Sequence, residues 1–587
     1  MTDPQQRILH VNYKKLGLAA ALALVVYILF NFTTLFQSEM TEQTSGYSLI
    51  TPEQAQSSAA DFASSALAIE AALGEPQISY RSDSDLYGYL SKNDLIGEYD
   101  RTYVDRFPYE MFRVIYHYEE GGAERVLLVD VGGQTGKVTA FSDLPSDFAA
   151  QLSDGTVDPD ALEDTGIAQT DKEAAAAPLL EELELDPAEL EPTSSADSGG
   201  LSYTDSEVGI GDSDLNVSLT FEGDHVASIR PAFQIPQAYT AYIDEQTKWA
   251  EIMTYGGYML LSFVLGVLAI VYAIRLRKYS SFKRGIFLAI FTYAVSVFSV
   301  WNSRPYFEGG SFSSIMFWVA FILQIGLGLV TSASLYFSFV GGDALWRSQG
   351  RNMWARRGER FYGRHVWAAA RTGYLWAFIL LAVQAVIFFV LERTLGVFST
   401  TDDSQSTYNM MYAWLFPILA WMAGISEEAI YRLFGIPMLK KIVRSTLLAS
   451  VITSIIWAFG HTLYSIYPVI TRPIELLVLG LLFSFIFLRY GYITAMFAHV
   501  VFDSILMGLS LIFMGTPGYI LIGIISIVLP GIVAFAIYLF NRKDKPLPPG
   551  GEFEEHPPAP RDPQSLLPGA PKVPGWSLAK DERPTSV

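Results

Sequence analysis

The chain contains no cysteine among its 587 residues. A disulfide framework, a cysteine-ligated zinc or iron–sulfur site and thiol catalysis are therefore excluded. Charged residues are also scarce, at 17%, whereas ordinary soluble domains carry about 25%. Hydrophobic residues make up 51% of the chain and occur in long blocks. This composition predicts a membrane protein with one large polar insert.

The charge is unevenly distributed along the chain. Residues 37–247 hold 41 of the 60 acidic residues and nine of the 40 lysines and arginines, which gives this segment a net charge of −32. The rest of the chain has 31 basic and 19 acidic residues, a net charge of +12. Such an acidic segment repels phosphate backbones, so we expect no nucleic-acid partner.

Ten segments are long and apolar enough to cross a hydrocarbon core of about 30 Å as helices. The predicted spans are 16–36, 251–275, 285–302, 314–340, 367–391, 410–438, 446–468, 473–489, 491–513 and 517–540. Lysines and arginines precede the first span and cluster after the second, fourth, sixth and tenth. Because basic residues favour the cytoplasmic side, both termini are predicted to be cytoplasmic and residues 37–247 extracytoplasmic.

The expected fold class is an all-α polytopic membrane domain of about ten transmembrane helices with an inserted extracytoplasmic α+β domain. Four runs in the insert alternate like antiparallel strands, at 111–118, 124–131, 136–141 and 215–229. Within them, the sequence VLLVDVGGQTGKVTAF resembles a PepSY-type hairpin.

Five divisions of the chain are predicted. They are a cytoplasmic segment with the first transmembrane helix (1–36), the acidic α+β domain (37–247) with a low-complexity linker (151–200), transmembrane helices two to four with basic cytoplasmic loops (248–374), a second membrane block (375–540) and a disordered proline-rich cytoplasmic tail (541–587). The tail has too few apolar residues to bury a core.

A few ionisable residues interrupt the apolar spans of the second membrane block. They are Glu427, Glu428, Arg432, His461, His499 and Asp503. Each charge at bilayer depth costs roughly 2.5–3.5 kcal/mol on insertion scales, so such residues indicate a functional site. Any one of them alone is also typical of structural contacts between helices. Their presence in three of the last five predicted spans favours the functional interpretation.

Helical spacing predicts how these groups are arranged. Glu428 and Arg432 are four residues apart and share a helix face, as do His499 and Asp503. Carboxylates and imidazoles from three helices could converge to hold and activate a water, with or without a metal. Pro417 is expected to break the span 410–438, so that the helix carrying Glu427 begins deeper in the membrane.

The ionisable residues form three motifs. They read Glu427-Glu428-Ala-Ile-Tyr-Arg432, Trp457-Ala-Phe-Gly-His461 and His499-Val-Val-Phe-Asp503. In order and spacing, and with Gly480 between the last two, they resemble the CPBP family of intramembrane proteases (CAAX protease and bacteriocin-processing, also called ABI), which includes the CAAX prenyl endopeptidases. The resemblance covers roughly 375–540. It departs at Trp457, where phenylalanine is usual, at Leu433, where many members have glycine, and at Asp503, where asparagine is commoner.

The resemblance implies an intramembrane endopeptidase that cleaves a membrane-associated protein or peptide. The expected location is a prokaryotic plasma membrane, in which the chain is a multi-pass protein. The implied catalytic residues are Glu427 and His461, which would activate water, and His499 and Asp503, which would stabilise the oxyanion. Glu428, Arg432 and Trp457 would support them.

The resemblance leaves the cofactor open, since both glutamic and metal-dependent mechanisms have been described for the family. No cofactor is certain, and a divalent zinc ion would be held by Glu427, His461 and His499. The expected partners are the lipid bilayer and a protein or peptide substrate. The alternatives are a catalytically silent membrane scaffold or bacteriocin-immunity protein and, less favoured because no inverted repeat is present, a transporter with a proton relay.

Overall fold

A computed structural model gives the fold. It describes residues 8–41, 49–146, 168–193, 200–223, 225–308, 314–359 and 361–541. Most of the proline-rich tail and part of the predicted linker (151–167 and 194–199) therefore lie outside the described residues. The described chain forms a domain around one large sheet, here called the sheet domain, and a helical membrane domain.

The sheet domain contains eight antiparallel strands in the order β1-β2-β3-β4-β8-β7-β6-β5. The strands are β1 (Gln77–Ser82), β2 (Glu110–Glu120), β3 (Ala123–Gly132), β4 (Val138–Pro145), β5 (Glu191–Pro192), β6 (Leu201–Ile210), β7 (Ser213–Glu222) and β8 (His225–Phe233). The predicted strand-like runs fall in β2, β3, β4 and β7–β8. Gly121 and Gly122 join β2 to β3 with φ of 60° and 83°, the left-handed conformation that a two-residue hairpin turn requires.

The first helix, α1 (Tyr13–Thr41), belongs to the membrane domain. The helices that cover the sheet and close its core are α2 (Pro52–Ser65), α3 (Ser84–Lys92), α4 (Ile96–Thr102) and α5 (Gln169–Glu182). Helix α5 lies inside the segment predicted to be a linker, yet Ala176 and Leu180 are buried in the sheet-domain core. The linker prediction therefore fails for this stretch, because its apolar residues recur at helical spacing and pack on the sheet.

A buried ion cluster joins side chains from three strands of the sheet, β2, β3 and β8. Asp130 on β3 accepts hydrogen bonds from Arg113 Nε on β2 (2.7 Å) and from Arg230 NH1 on β8 (2.8 Å), and it is 1% exposed. Burial acts to raise the pKa of Asp130, but the charges and hydrogen bonds of Arg113 and Arg230 outweigh it and hold that pKa well below its ordinary value. Asp130 is therefore a stabilising anion at neutral pH.

Replacing Asp130 with asparagine should destabilise the sheet domain by about 3–5 kcal/mol, because two arginines lose their buried counter-charge. Hydrogen exchange of the β2, β3 and β4 amides in the full-length protein would measure the loss. Because the folded pKa is lowered, the wild-type contribution is fully present above the unfolded pKa of about 3.9 and is lost as pH falls through the folded value. Glu119→Gln, at an exposed position of β2, is the matched control. Equal exchange in the two variants would contradict the assignment.

The membrane domain contains the remaining helices. They are α6 (Gln237–Arg275), α7 (Ile286–Asn302), α8 (Ser314–Arg347), α9 (Tyr362–Leu395), α10 (Ile418–Glu427), a π-helix (Glu428–Gly435), α11 (Ile436–Val443), α12 (Thr446–Phe459), α13 (Thr471–Tyr490), α14 (Tyr492–Phe513) and α15 (Pro517–Phe540). Helix α6 runs for 39 residues from the sheet domain into the membrane domain. Helix α14 is the most enclosed candidate span, with 61% of its most apolar window buried.

Eight helices among the described residues are long and apolar enough to cross a membrane, against ten predicted spans. The predicted span 410–438 is divided: Pro417 precedes a helix that begins at Ile418, and the π-helix interrupts that helix after Glu427. The predicted span 446–468 ends as a helix at Phe459, after 14 residues. The two predicted spans that fall short are those carrying the Glu427 and His461 motifs.

Candidate active site

The helix that carries the first motif changes its winding at the motif. Helix α10 ends at Glu427 and the π-helix begins at Glu428. A π-helix bonds each residue to one five positions away, and such turns occur frequently at functional sites. Side chains from two other helices hold this segment: Tyr492 Oη donates to the Ile425 carbonyl oxygen (2.9 Å), and Trp346 Nε1 donates to the Leu433 carbonyl oxygen (2.9 Å). The two glutamates therefore sit on a backbone fixed on both sides.

A fully buried ion pair forms the base of the site. Glu428 Oε1 lies 3.1 Å from Arg432 NH1, and both residues are 0% exposed. The same Oε1 atom lies 3.0 Å from His499 Nδ1, so Glu428 bridges the first and third motifs. The predicted pairing of Glu428 with Arg432 is present, and the third partner, His499, comes from α14.

The Arg432 guanidinium is enclosed by aromatic rings. Its Cζ lies 4.6 Å from the centroid of the Trp457 ring and 5.5 Å from that of Phe483. Its NH2 donates to the Gly480 carbonyl oxygen at 3.4 Å. A Cβ at Gly480 would lie 2.8 Å from the Ser454 side chain, so only glycine lets α13 approach α12 this closely. The arginine is thus held by charge on one side and by ring faces on the other.

His499 is the centre of the site. Its Nδ1 faces Glu428, while its Nε2 lies 3.4 Å from Asp503 Oδ2 and 3.7 Å from Glu427 Oε2. The Phe483 ring stacks on the imidazole with centroids 4.5 Å apart. His499 therefore has a carboxylate oxygen near each ring nitrogen, and a protonated imidazole could donate from both nitrogens.

Trp457 makes a contact that its position in the motif does not predict. Its indole Nε1 donates a hydrogen bond to Glu427 Oε2. A phenylalanine, the usual residue at this position of the resembling family, has no donor and cannot make this bond. Trp457 therefore fixes one oxygen of Glu427 and leaves Oε1 of the same carboxylate to bind another group.

His461 lies at the edge of this group. Helix α12 ends two residues before it, its Nδ1 lies 3.0 Å from the Trp457 carbonyl oxygen, and its ring stacks on Tyr464 with centroids 5.7 Å apart. Since a carbonyl only accepts, Nδ1 carries the hydrogen and Nε2 retains its lone pair. Within the described part of the chain, no hydrogen bond or ion pair joins His461 to Glu427. Trp457 connects the two residues instead.

The three carboxylate side chains of the site differ in their exposure. The side chains of Glu427 and Asp503 are 23% and 18% exposed, whereas that of Glu428 is 0% exposed. Glu427 and Asp503 therefore line the reachable side of the site, and Glu428 lies behind them. The structure thus brings six of the seven predicted site residues together and places His461 at the edge of the group, with its ring 5.3 Å from that of Trp457.

A second charged group near His461 was missed from the sequence. Arg472 NH1 lies 2.5 Å from Glu475 Oε2, and Gln384 Nε2 donates to Glu475 Oε1 at 2.7 Å. The Arg472 guanidinium carbon lies 5.1 Å from the centroid of the Tyr464 ring, which stacks on His461. The sequence pattern that indicates this ion pair is the i,i+3 spacing of Arg472 and Glu475 at the start of a predicted span.

The predicted zinc ligands Glu427, His461 and His499 are not arranged as a metal site. Among the described residues no group of three histidine, aspartate or glutamate side chains is placed to hold a metal ion. His499 Nε2 faces the carboxylates of Glu427 and Asp503, and within the described residues no hydrogen bond or ion pair brings His461 to Glu427. The donor set therefore does not fit the expected zinc ion in this arrangement.

The segment that carries the site is similar to known proteins. Residues 409–505 match the family model described as type II CAAX prenyl endopeptidase Rce1-like, and this segment includes all three motifs. The predicted resemblance to CAAX-type proteases is therefore confirmed over that segment.

One curated relative matches in addition. The sporulation-killing factor biosynthesis protein SkfC of Bacillus subtilis (strain 168) is 28% identical over 89 residues, which are 15% of this chain and 18% of the relative. The match thus spans less than a fifth of that relative's length. No solved structure matches the chain at a significant level.

The buried pair Glu428–Arg432 should be the main electrostatic determinant of stability in this domain. Glu428→Gln leaves Arg432 with only neutral and aromatic neighbours beside His499, and we expect it to destabilise the folded protein by about 3–5 kcal/mol. Thermal unfolding in detergent measures the effect.

Two further variants make this test specific. The double variant Glu428→Gln, Arg432→Met should recover much of the loss, because no unpaired charge then remains buried. Glu427→Gln, at the more exposed neighbouring carboxylate, is the matched control and should change stability little. A double variant no more stable than Glu428→Gln would show that the pair is not the cause.

Proposed function

We propose that this chain is an intramembrane endopeptidase that hydrolyses peptide bonds of a membrane-associated protein or peptide. The observation that supports the proposal is the convergence of Glu427, His499 and Asp503 on the reachable side of a buried Glu428–Arg432 pair. A charge network of this kind is costly at bilayer depth and is expected where chemistry requires it. The match of residues 409–505 to a CAAX endopeptidase family model supports the same class.

Glu427 acts as the general base. Trp457 holds its Oε2, so its Oε1 accepts a proton from a water, and the resulting hydroxide attacks the carbonyl carbon of the scissile peptide bond. His461 at the edge of the site, with a free Nε2 lone pair, orients that water. The proton held by Glu427 then passes to the leaving amine nitrogen as the C–N bond breaks. The products are a carboxylate and an amine, and Glu427 returns to its starting state.

His499 stabilises the oxyanion that forms on the carbonyl oxygen. A protonated His499 can present an N–H from Nε2, the nitrogen that faces the open side of the site. Asp503 orients the ring and balances its charge, a role that an ionised carboxylate can perform although it cannot donate to the oxyanion. The aspartate in place of the commoner asparagine therefore supports a mechanism in which His499 is the donor.

The orientation follows from the distribution of basic residues. Arg275, Arg277 and Lys278 follow the end of α6 that lies away from the sheet domain. We therefore place both termini in the cytoplasm and the sheet domain outside it, in a prokaryotic plasma membrane. We also propose that the chain crosses the membrane ten times. Two of these crossings are made by the interrupted segment α10–α11 and by the segment that contains α12.

Removing the base should abolish cleavage. Glu427→Gln is expected to lower kcat/KM by about 10²–10⁴-fold, because a glutamine cannot accept the proton. The measurement is mass-spectrometric cleavage of a synthetic peptide library by purified protein in detergent. Glu392→Gln, at an exposed position of α9, is the matched control. Wild-type protein that cleaves nothing, although folded by thermal melt, would favour the silent scaffold or immunity role instead.

Removing the indole donor should slow chemistry without preventing binding. Trp457→Phe restores the residue usual in the family but deletes the hydrogen bond to Glu427, and a bond to a charged group contributes about 1.5–3 kcal/mol. We expect kcat to fall by about 10–100-fold with KM nearly unchanged, since the loss acts on the base and not on substrate contacts. Trp421→Phe, an indole on α10 that packs against Phe497, is the control. A Trp457→Phe enzyme with wild-type kcat would remove Trp457 from the positioning role.

A further inference from the structure

The loops at one end of the membrane domain are bound to the sheet domain. Asn409 Nδ2 donates to the Tyr80 carbonyl oxygen on β1 and Asn409 Oδ1 accepts from the Tyr80 backbone N–H, both at 2.8 Å. Arg81, next along β1, pairs with Asp403 at 3.5 Å and donates to the Tyr306 carbonyl oxygen at 3.0 Å. The loops after α7 and after α9 therefore lie on the sheet-domain side.

The loop that carries His461 lies on the same side. Its two-residue strand Ile466–Tyr467 pairs with Phe398–Ser399, and Phe398 and Tyr467 pack into the sheet-domain core. The backbone N–H of Val469 donates to Gln246 Oε1 on α6 at 2.8 Å. Thr462, the residue after His461, donates to the Ala250 carbonyl oxygen on α6 at 3.0 Å. The loop that carries His461 is thus bound to α6, the helix that runs from the sheet domain into the membrane domain.

The other site residues lie near mid-depth, and His499, seven residues from the opposite end of α14, lies nearer that side. Glu427 lies nine residues from the start of α10, and Asp503 lies ten residues from the end of α14, both on the sheet-domain side. At 1.5 Å per residue these positions are about 14 and 15 Å along their helices from that side. Helix α12 rises about 21 Å from the opposite side, so it stops short of a hydrocarbon core of about 30 Å. Non-helical backbone at such depth is tolerated where it lines a water-filled cavity or is buried in protein.

Beneath the site, toward the opposite side, the protein is closely packed. Leu433, Phe434 and Ile436 follow the motif and are 0% exposed, as is Phe487 on α13. Trp346 on α8, 1% exposed, bonds the π-helix at this level. These buried side chains pack between Glu427 and the side of the basic loops.

We propose that the catalytic site opens only toward the side of the membrane on which the sheet domain lies, beneath that domain. The substrates are then membrane-associated polypeptides whose scissile bond lies on the sheet-domain side, and not tails presented from the side of the basic loops. This inference rests on the proposed function for its substrate class. The direction of the opening itself does not depend on catalysis.

The absence of cysteine allows a clean test of the opening. Single cysteines are introduced at Tyr464 (Tyr464→Cys), beside His461, at Glu119 (Glu119→Cys) on the sheet domain, and at Gln349 (Gln349→Cys) in the exposed turn after α8. Each variant is reacted with a membrane-impermeant maleimide in sealed vesicles of either orientation, because maleimides require a water-accessible thiolate.

The expected result is that Tyr464→Cys and Glu119→Cys are labelled in the same vesicles, and Gln349→Cys in vesicles of the opposite orientation. Labelling of Tyr464→Cys together with Gln349→Cys would overturn the proposal. So would a Tyr464→Cys that reacts from neither side while reacting in unfolded protein. Leu463→Cys, 48% exposed at the neighbouring position, repeats the test if removal of the Tyr464 ring disturbs folding.

A cleavage experiment then tests the substrate class. The same synthetic peptide library, added outside sealed vesicles, should be cleaved only when the sheet domain faces outward, and cleavage by the opposite vesicles should appear only after detergent is added. Cleavage from the side of the basic loops would overturn the proposal. Absence of Glu427-dependent cleavage even in detergent would instead refute the proposed function and leave the labelling result to decide the opening.

Discussion

The contact of one carboxylate oxygen with a guanidinium and an imidazole organises this membrane domain. Glu428 Oε1 faces both Arg432 and His499, so a single atom joins the π-helix to α14. In a low-dielectric interior neither the carboxylate nor the guanidinium can remain unpaired. The geometry of the remaining site follows from this requirement. The arginine must then be enclosed by Trp457 and Phe483, and the imidazole must turn its other nitrogen toward Glu427 and Asp503.

The sequence predicted the site better than it predicted the helices around it. Ionisable side chains in apolar segments are conspicuous, and i,i+4 spacing correctly paired Glu428 with Arg432 and His499 with Asp503. The bounds of two spans were less predictable, because hydropathy averages over a window and does not register a π-turn or an early helix end. Pro417 was the exception, since a proline marks a helix start directly and the structure begins α10 at the next residue.

Contacts between distant parts of the chain could not be predicted from the sequence. Nothing in the spacing of Trp457 relative to His461 indicates that its indole would meet Glu427, 30 residues earlier. Likewise, composition marked 151–200 as a linker, whereas the burial of Ala176 and Leu180 depends on a sheet whose other strands are far away in sequence. Tertiary packing decided both cases.

The contact between Asn409 and Tyr80 has a consequence for the sheet domain as a separate body. Strand β1 is the first strand of the sheet, and its outer edge is occupied by a side-chain amide that imitates a neighbouring strand. An edge strand with free backbone groups is a template for pairing with another chain. If the sheet domain were separated from the membrane helices, the backbone groups of β1 at Tyr80 would be unpaired and could bind another chain. The membrane domain therefore covers an edge strand through which the sheet domain could self-associate.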